Sequence, residues 1–214
     1  MFWKRILPFT FLGIGVFILI QILMPLISFK VWEISLNNQN LSLASPDPDS
    51  QTVLGISIEN RDNFPAIIST NKRATPAFYS QFNLSIPSIK LDDAQVLVDS
   101  NNFEQNLAHL SGSALPGEKG NVFITGHSSL PQLFRPGNYK AIFANLPNIK
   151  KGDEIIVEAG GQKFTYLVQG MKIIDPKQTS VINSPSQEGR YLTLMTCVPP
   201  GLYLKRLIVL GILK

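Results

Sequence analysis

The chain has 214 residues, a formal net charge of +4 and one cysteine, and 44% of its residues are hydrophobic. Of its 19 basic residues, three (Lys4, Arg5 and Lys30) flank an apolar N-terminal stretch; without them the balance against 15 acidic residues is +1. A chain so nearly neutral lacks the basic footprint of nucleic-acid-binding proteins, so we expect no nucleic-acid partner. The single cysteine excludes an internal disulfide and a multi-cysteine metal site.

The first predicted element is an uncharged stretch of 24 residues, 6–29. As a helix rising about 1.5 Å per residue it covers roughly 36 Å, enough to span a hydrocarbon core of about 30 Å. Lys4 and Arg5 precede it, which predicts a cytoplasmic N-terminus (residues 1–5) and an extracytoplasmic location for everything after the span. A cleaved signal peptide is the alternative, but the stretch exceeds the usual apolar region of roughly 7–15 residues. We therefore predict a single-pass signal anchor in the cell membrane.

Residues 30–77 are predicted to be a flexible extracytoplasmic tether. The segment from Asn37 to about Asn60 is rich in Asn, Ser, Pro and Asp and shows no helical apolar period. Residues 61–76 fit either more tether or an N-terminal elaboration of the domain that follows. Residues 78–214 form that domain, and about 137 residues are enough for one hydrophobic core.

The domain is predicted to be all-β, because its apolar segments are short and bounded by Gly, Pro, Asn or Asp. Gly160-Gly161 predicts a hairpin turn, and the last strand, apolar on both faces, is expected in the middle of a sheet. Only residues 139–146 have helical spacing. The predicted strands are Asn83–Ile86, Gln95–Val98, Asn121–Thr125, Glu154–Glu158, Lys163–Met171, Tyr191–Thr196 and Arg206–Ile212.

Cys197 ends the apolar run YLTLMTC, just before a Val-Pro-Pro-Gly turn. A strand end that feeds a turn can hold a side chain rigidly and still let it face solvent. This position suits a thiol nucleophile, although a buried cysteine acting as a small hydrophobe is the simpler alternative.

Two histidines could serve as proton-transfer partner to that thiol. His127 follows the strand NVFIT, and its ordinary pKa of about 6.5 suits acid–base work near neutrality. His109, in LAHLSG, competes with it, but we expect His109 to be a hydrogen-bonded structural residue.

A cation for the developing oxyanion is available in Arg206, at the start of the last strand. The alternative is a surface cation at a strand end, a description that fits Lys205 equally well.

The sequence patterns of phosphate-binding loops, serine nucleophiles and zinc sites are incomplete in this chain. Gly112 and Gly117 are followed by Glu118-Lys119, so the phosphate-loop pattern is incomplete, and Gly126-His127-Ser128 lacks the second glycine of a serine nucleophile elbow. Two histidines and one cysteine make a poor zinc site. We expect no cofactor and no metal.

The strings TLMTC, GNVFITGHSS and KRLIVLG resemble the three signature segments of sortases, the membrane-anchored cysteine transpeptidases of bacterial surfaces. The resemblance extends over most of the domain. The further matching segments are Leu84–Pro87, Leu115–Asn121, Phe143–Leu146 and Lys151–Asp153.

This resemblance implies a sortase-like catalytic domain over residues 78–214, folded as a closed β-barrel of about seven or eight strands with one or two short helices. It implies that Cys197 attacks a Leu-Pro-x-Thr-Gly-type sorting motif to form a thioacyl enzyme. His127 then moves the proton and Arg206 stabilises the oxyanion. Thr196, Gly126 and Ser128 are implied to bind substrate or support the site.

The implied partners are surface proteins or pilin-like subunits that carry the motif, and an amine acceptor on peptidoglycan or a pilin lysine. The loop from Asp175 to Arg190 is expected to form a wall of the substrate groove. The short connection VPPGLYLK leaves the subfamily open, and no acidic cluster supports the calcium activation seen in some sortases.

Two alternatives to a sortase remain. An L,D-transpeptidase is also β-rich and uses Cys and His, but its cysteine follows Ser-x-Gly, whereas Thr-Leu-Met-Thr precedes Cys197. A tethered, non-catalytic β-domain acting in adhesion or scaffolding is the other.

Overall fold

A computed structural model of the chain describes residues 3–38, 55–61, 64–72, 76–102 and 104–214. The chain divides into two units, residues 1–40 and residues 41–214. The first contains helix α1, Trp3–Asn38, and the second contains the β-strands.

Helix α1 is long and apolar enough to cross a membrane, with a candidate span of Thr10–Leu36. Its apolar side chains are largely exposed within the unit, as expected of a surface that faces lipid. The helix runs past the predicted end at residue 29 because Lys30 and Glu33 lie one turn apart and pair at 2.7 Å, after which apolar residues resume. The predicted apolar helix is therefore present, and its C-terminal end lies further along the chain.

Ten strands are described in the second unit. They are β1 Ile56–Arg61, β2 Phe64–Ser69, β3 Gln81–Ile86, β4 Leu91–Leu97, β5 Leu107–His109, β6 Gly120–Thr125, β7 Glu154–Ala159, β8 Gln162–Ile174, β9 Arg190–Val198 and β10 Lys205–Leu213. Short 3₁₀ turns cover Pro87–Ile89, Pro131–Leu133, Tyr139–Ala141, Leu146–Asn148 and Ser180–Ile182.

Eight of the described strands close into a barrel in the order β10-β8-β7-β3-β4-β5-β6-β9. The β4–β5 and β6–β9 pairs are parallel, and the other pairs are antiparallel. The closed all-β barrel is confirmed, as are the central position of the last strand, between β8 and β9, and the β7–β8 hairpin. Gly160 and Gly161 turn that hairpin with φ of 57° and 77°, conformations that glycine adopts without strain.

The predicted helix over residues 139–146 is not formed. Two 3₁₀ turns, Tyr139–Ala141 and Leu146–Asn148, are joined by a turn instead. Hydrogen bonds of these turns, such as Leu146 N to Phe143 O at 3.1 Å, keep the segment compact. The apolar residues that gave the helical spacing are still buried in this arrangement. Pro147 has no N–H to continue a helix, so the segment stays in tight turns.

Strands β1 and β2 pair with each other in an antiparallel hairpin that we call the N-terminal hairpin (residues 56–69). Strand β1 lies largely in the stretch predicted as tether, whereas β2 lies within residues 61–76, for which an N-terminal elaboration of the domain was the stated alternative. Ile67 and Ile68 of β2 are buried, because Ile67 joins an apolar cluster on the barrel and Ile68 packs with Ala108 and Cys197. At least this part of the stretch is folded onto the domain, and the boundaries at residues 30, 77 and 78 stay predictions.

Candidate active site

Cys197 and Arg206 face each other across two neighbouring strands. Cys197 is near the end of β9, Arg206 is the second residue of β10, and the two are direct partners in the antiparallel ladder. Partners in such a ladder project to the same face with Cβ atoms about 4.5–5.5 Å apart. The thiol and the guanidinium are therefore immediate neighbours.

Arg206 is buried at 1% exposure, which excludes the alternative of a surface cation. Its Nη1 donates to the carbonyl of Lys205 at 3.1 Å and to that of Tyr203 at 3.5 Å. The Lys205 side chain is partly exposed and lies 3.6 Å from an Asp175 carboxylate oxygen. The structure thus separates the two cations, and only Arg206 lies beside the thiol.

Strand β6 carries His127 to the same end of the barrel as Cys197. Thr125 of β6 is the partner of Met195 of β9 in a parallel ladder, and Gly126 N donates to Met195 O at 3.2 Å. His127 and Cys197 each lie two residues beyond the Thr125–Met195 pair, so the register places them at the same level. The two strands, remote in sequence, bring imidazole and thiol to one rim.

Thr196 and Gly126 help to shape this strand exit. Thr196 Oγ1 donates to Gly126 O at 2.8 Å, so its hydroxyl serves the backbone beside His127. A Cβ atom on Gly126 would overlap the side chains of Leu107 and Phe143, so only glycine fits there. Ser128 is fully buried, which favours a supporting role over substrate contact.

His109 is a structural residue, as predicted. It is fully buried in β5, its Nδ1 accepts from Asp99 N at 3.3 Å, and its Nε2 lies 2.8 Å from Ala114 O. With Nδ1 as acceptor, Nε2 carries the proton and donates to that carbonyl. Both ring nitrogens are engaged inside the protein, so His109 is unsuited to proton transfer with substrate.

The expectation that the Cys197 thiol faces solvent is wrong for this structure, because the residue is 0% exposed. Ile68 of the N-terminal hairpin and Ala108 form one buried apolar cluster with it, and the partly buried Tyr203 packs against that cluster. Nothing in the sequence pointed to Ile68. Tyr203 lies in the short Cys-to-Arg connection and adopts φ of 56°, which is uncommon for a bulky residue.

Burial sets the protonation of the site. Burial raises the pKa of Cys197 to about 12, and the charge of Arg206 acts in the opposite direction. Burial also lowers the pKa of His127; Glu104 raises it and Lys140 lowers it further. At neutral pH the site therefore holds a protonated thiol and a neutral imidazole beside a permanent cation.

The loop from Asp175 to Arg190, expected to form a wall of the substrate groove, packs on the barrel, and its role in substrate binding stays a prediction. In the loop after β8, Val181 and Ile182 pack against the apolar cluster that contains Ile67 and Met195. A cavity of about 640 Å³ lies nearby, lined in part by Ile182, Leu110 and Ile56 of the hairpin. Cys197, His127 and Arg206 are not among its lining residues, so the cavity is separate from the rim where these three residues lie. Within the described ranges no group of three or more His, Cys, Asp or Glu side chains could hold a metal.

A family model, the sortase domain, matches residues 84–214. The chain belongs to the sortase family. Sortase A of Bacillus anthracis is 32% identical over 133 residues, which are 60% of this chain and 57% of that protein. The chain spans between 53% and 57% of the length of the curated sortases it matches.

Two solved sortase structures share the fold. A Clostridium perfringens sortase D5 transpeptidase is 25% identical with a TM-score of 0.54, over 63% of this chain and 79% of that one. The Group B Streptococcus pilus island 1 sortase C2 is 25% identical with a TM-score of 0.55, over 68% of this chain and 82% of that one.

Proposed function

We propose that this sortase is a membrane-anchored cysteine transpeptidase that cleaves a Leu-Pro-x-Thr-Gly-type motif and transfers the acyl group to an amine. The observation that carries the proposal is the pairing of Cys197 with Arg206 across β9 and β10, with His127 level with Cys197 on β6. A nucleophile, a permanent cation and a titratable base meet at one rim.

In the first half-reaction Cys197 Sγ attacks the threonine carbonyl carbon of the motif while its proton passes to His127. The oxyanion that forms lies beside the guanidinium of Arg206, whose charge and fixed donors stabilise it. The C–N bond breaks as His127 returns the proton to the departing glycine amine. A thioester between Cys197 and the motif remains.

In the second half-reaction an amine attacks that thioester and gives its proton to His127. The C–S bond breaks, the thiolate regains the proton, and a new amide leaves the site. Surface proteins or pilin-like subunits are the proposed donors, and peptidoglycan or a pilin lysine is the proposed acceptor. Similarity to the Group B Streptococcus pilus island 1 sortase C2 favours pilin-like subunits as the donors and a pilin lysine as the acceptor.

The membrane topology is part of the same proposal. Helix α1 anchors the enzyme in a single pass, with Lys4 and Arg5 on the cytoplasmic side and the domain outside. Donors and acceptors of a surface-anchoring reaction are on that outer side.

The test uses the full chain in detergent, a Leu-Pro-x-Thr-Gly peptide and an amine acceptor. We expect cleavage, transfer product and, without acceptor, a peptide adduct on Cys197 detected by intact mass. Cys197→Ala should abolish all three. Turnover by the alanine variant at the wild-type rate would contradict the proposal.

A non-catalytic β-domain is the second candidate, and the burial of Cys197 favours it. A thiol-reactive mimic of the sorting motif separates the two. The enzyme should be labelled at Cys197, whereas an inert domain should stay unlabelled.

A further inference from the structure

Two loops at the rim of the barrel carry exposed leucine side chains. We call residues 128–140 and 199–205 the rim loops; the first follows the proposed base and the second follows the proposed nucleophile. Single exposed leucines are ordinary on a protein surface, but several on neighbouring loops mark an interaction surface. Among the described residues of the second unit, the exposed large hydrophobic side chains are Phe78 and four leucines of the rim loops, Leu130, Leu133, Leu202 and Leu204.

The two rim loops lie beside each other. A Cβ atom built on Gly201 would lie 3.7 Å from Leu130 Cδ2, which is van der Waals distance, so Leu130 of the first loop approaches the backbone of the second. His127 directly precedes the first loop, and Cys197 lies two residues before the second. The rim loops therefore form one surface next to the proposed site.

Hydrogen-bonded turns hold the leucines in exposed positions. Leu133 N donates to Leu130 O at 2.9 Å, and Asn138 Nδ2 donates to Leu133 O at 2.8 Å. In the second loop Leu202 N donates to Pro199 O at 3.0 Å. Proline rings restrict the backbone further, at Pro131, Pro136, Pro199 and Pro200. The backbone of the rim loops therefore presents these apolar side chains outward.

The charged residues within the rim loops are all basic. They are Arg135, Lys140 and Lys205, and the loops contain no aspartate or glutamate. Acidic side chains approach from other segments: Asp175 lies 3.6 Å from Lys205, and Glu104 raises the pKa of the proposed base. Arg135 and Lys140 are exposed. Leucines accompanied by exposed cations are typical of surfaces that bind an anionic membrane interface.

The chain itself brings a bilayer within reach of this surface. Helix α1 is long and apolar enough to cross a membrane, and residues 39–54 separate it from the first described residue of the second unit. Even fully extended, a segment of that length covers only roughly 55 Å. Tethering gives the rim loops a high effective concentration at the lipid surface, so that a few weak contacts are enough for binding.

We propose that the rim loops dock onto the anionic surface of the membrane that holds α1, with the leucines in the interface and the cations at the lipid headgroups. The proposal rests on the membrane anchoring of the proposed function, but not on its reaction. Docking keeps Cys197 and His127 close to the lipid surface. Substrates presented at that surface therefore reach the site more readily than substrates in solution.

The test measures how close two positions of the full chain lie to lipid. The chain is reconstituted into nanodiscs of phosphatidylcholine and phosphatidylglycerol, and Cys197→Ala removes the native thiol. Gln132→Cys then places a fluorophore in the first rim loop. Gln162→Cys is the matched control, because Gln162 is exposed and starts β8, whose other end pairs with Arg206.

Nitroxide groups on the lipid acyl chains quench a fluorophore that lies in the interface. We expect quenching at position 132 to exceed that at position 162 at least about threefold. Equal quenching at the two positions would overturn the proposal.

Substitutions of exposed apolar side chains test the role of the leucines. Leu202→Asp should lower the quenching at position 132 at least about twofold, because a carboxylate is repelled by the anionic surface. Phe78→Asp is the matched control, since it makes the same kind of change outside the rim loops and should leave the quenching unchanged. Both positions are exposed, so both variants should keep the thermal transition of the parent. Undiminished quenching in Leu202→Asp would contradict docking through the leucines.

Lipid composition tests the role of the cations. Nanodiscs of phosphatidylcholine alone should give weaker quenching at position 132, because the attraction of basic residues to anionic headgroups is lost. Equal quenching with and without phosphatidylglycerol would overturn an electrostatic contribution.

A second copy of the chain is the competing occupant of this surface. In vesicles it would shift the emission at position 132 to shorter wavelength as the number of chains per vesicle rises, without quenching by the nitroxide lipids. That result would overturn membrane docking.

Failure of docking and failure of the proposed function give different results. The Cys197→Ala background lacks the proposed nucleophile, so quenching does not depend on catalysis. A chain that does not enter nanodiscs contradicts the proposed anchor, and docking with it. A chain that enters them and shows equal quenching at positions 132 and 162 contradicts docking alone.

Discussion

The hydroxyl of Thr196 donates to the carbonyl of Gly126 at 2.8 Å, and this bond joins the residue before Cys197 to the residue before His127. Thr196 is buried, so its hydroxyl is not available to solvent. The proposed nucleophile and its proposed proton-transfer partner therefore lie at two strand ends that are joined by a hydrogen bond one residue upstream.

Removing that bond should lower both catalytic activity and stability. Thr196→Val keeps the shape and leaves Gly126 O without this donor, which should cost about 1–3 kcal/mol of unfolding free energy. We expect kcat/KM to fall about tenfold or more, because small displacements of catalytic groups are costly. Thr193→Val is the control, since Thr193 donates to Asn121 Oδ1 at 2.9 Å further back on the same strand. Equal losses of kcat/KM in both variants would contradict a positioning role for Thr196.

Alanine substitutions of the two histidines should have opposite effects on activity and on stability. His127→Ala should abolish transfer and leave the thermal transition close to that of the wild type, because the residue is half-buried at a strand exit. His109→Ala should lower the unfolding free energy by about 2–4 kcal/mol, since it removes buried hydrogen bonds and leaves a cavity. The folded fraction of His109→Ala, measured at low temperature, should keep its kcat; a loss of kcat there would mean that the roles are reversed.

Arg206→Lys should lower kcat about 100-fold or more, because a lysine has no planar fork to hold both the loop carbonyls and an oxyanion. The neighbouring Lys205→Gln is the control. Its contact with Asp175, 3.6 Å long and partly exposed, is worth less than about 1 kcal/mol. Thermal unfolding of both variants shows whether loss of activity reflects loss of fold. If the Arg206→Lys variant kept the wild-type kcat, Arg206 would have no role in stabilising the oxyanion.

The reactivity of Cys197 should climb steeply with pH. Burial raises its pKa to about 12, so below that value the thiolate fraction grows about tenfold for each pH unit. Alkylation of the wild type should rise between about pH 7 and pH 10 without a plateau. An uncharged polar residue in the cluster around Cys197, as in Ile68→Asn, should relieve the burial while Arg206 still favours the thiolate, so the profile of that variant should level off at lower pH. A plateau below about pH 9 in the wild type would contradict the buried thiol.

Much of the barrel was accessible from local patterns. Gly160-Gly161 between two apolar runs predicted the β7–β8 hairpin, and the uniformly apolar last strand predicted a position with neighbours on both sides. The three-residue strand β5 and the 3₁₀ turns around Ala141 were missed, because their hydrogen bonds depend on neighbours remote in sequence and leave no periodic signal.

The site residues also combine features that local sequence predicts with an arrangement that depends on remote parts of the chain. The types of Cys197, His127 and Arg206 and their positions near strand ends could be predicted from the sequence. Their arrangement could not, since it depends on the parallel register of β6 with β9 and the antiparallel register of β9 with β10.

By itself the sequence determined the family, an apolar helix long enough for a membrane and the chemistry that the site residues can perform, because these follow from residue types at short spacing. The tertiary structure alone decided which histidine is structural, which cation lies beside the sulfur, and that Ile68 belongs to the buried cluster around Cys197. The physical reason is that burial is a property of what packs on a residue from elsewhere in the chain. The isoleucines of β2 look like part of a polar linker until they are seen against the barrel.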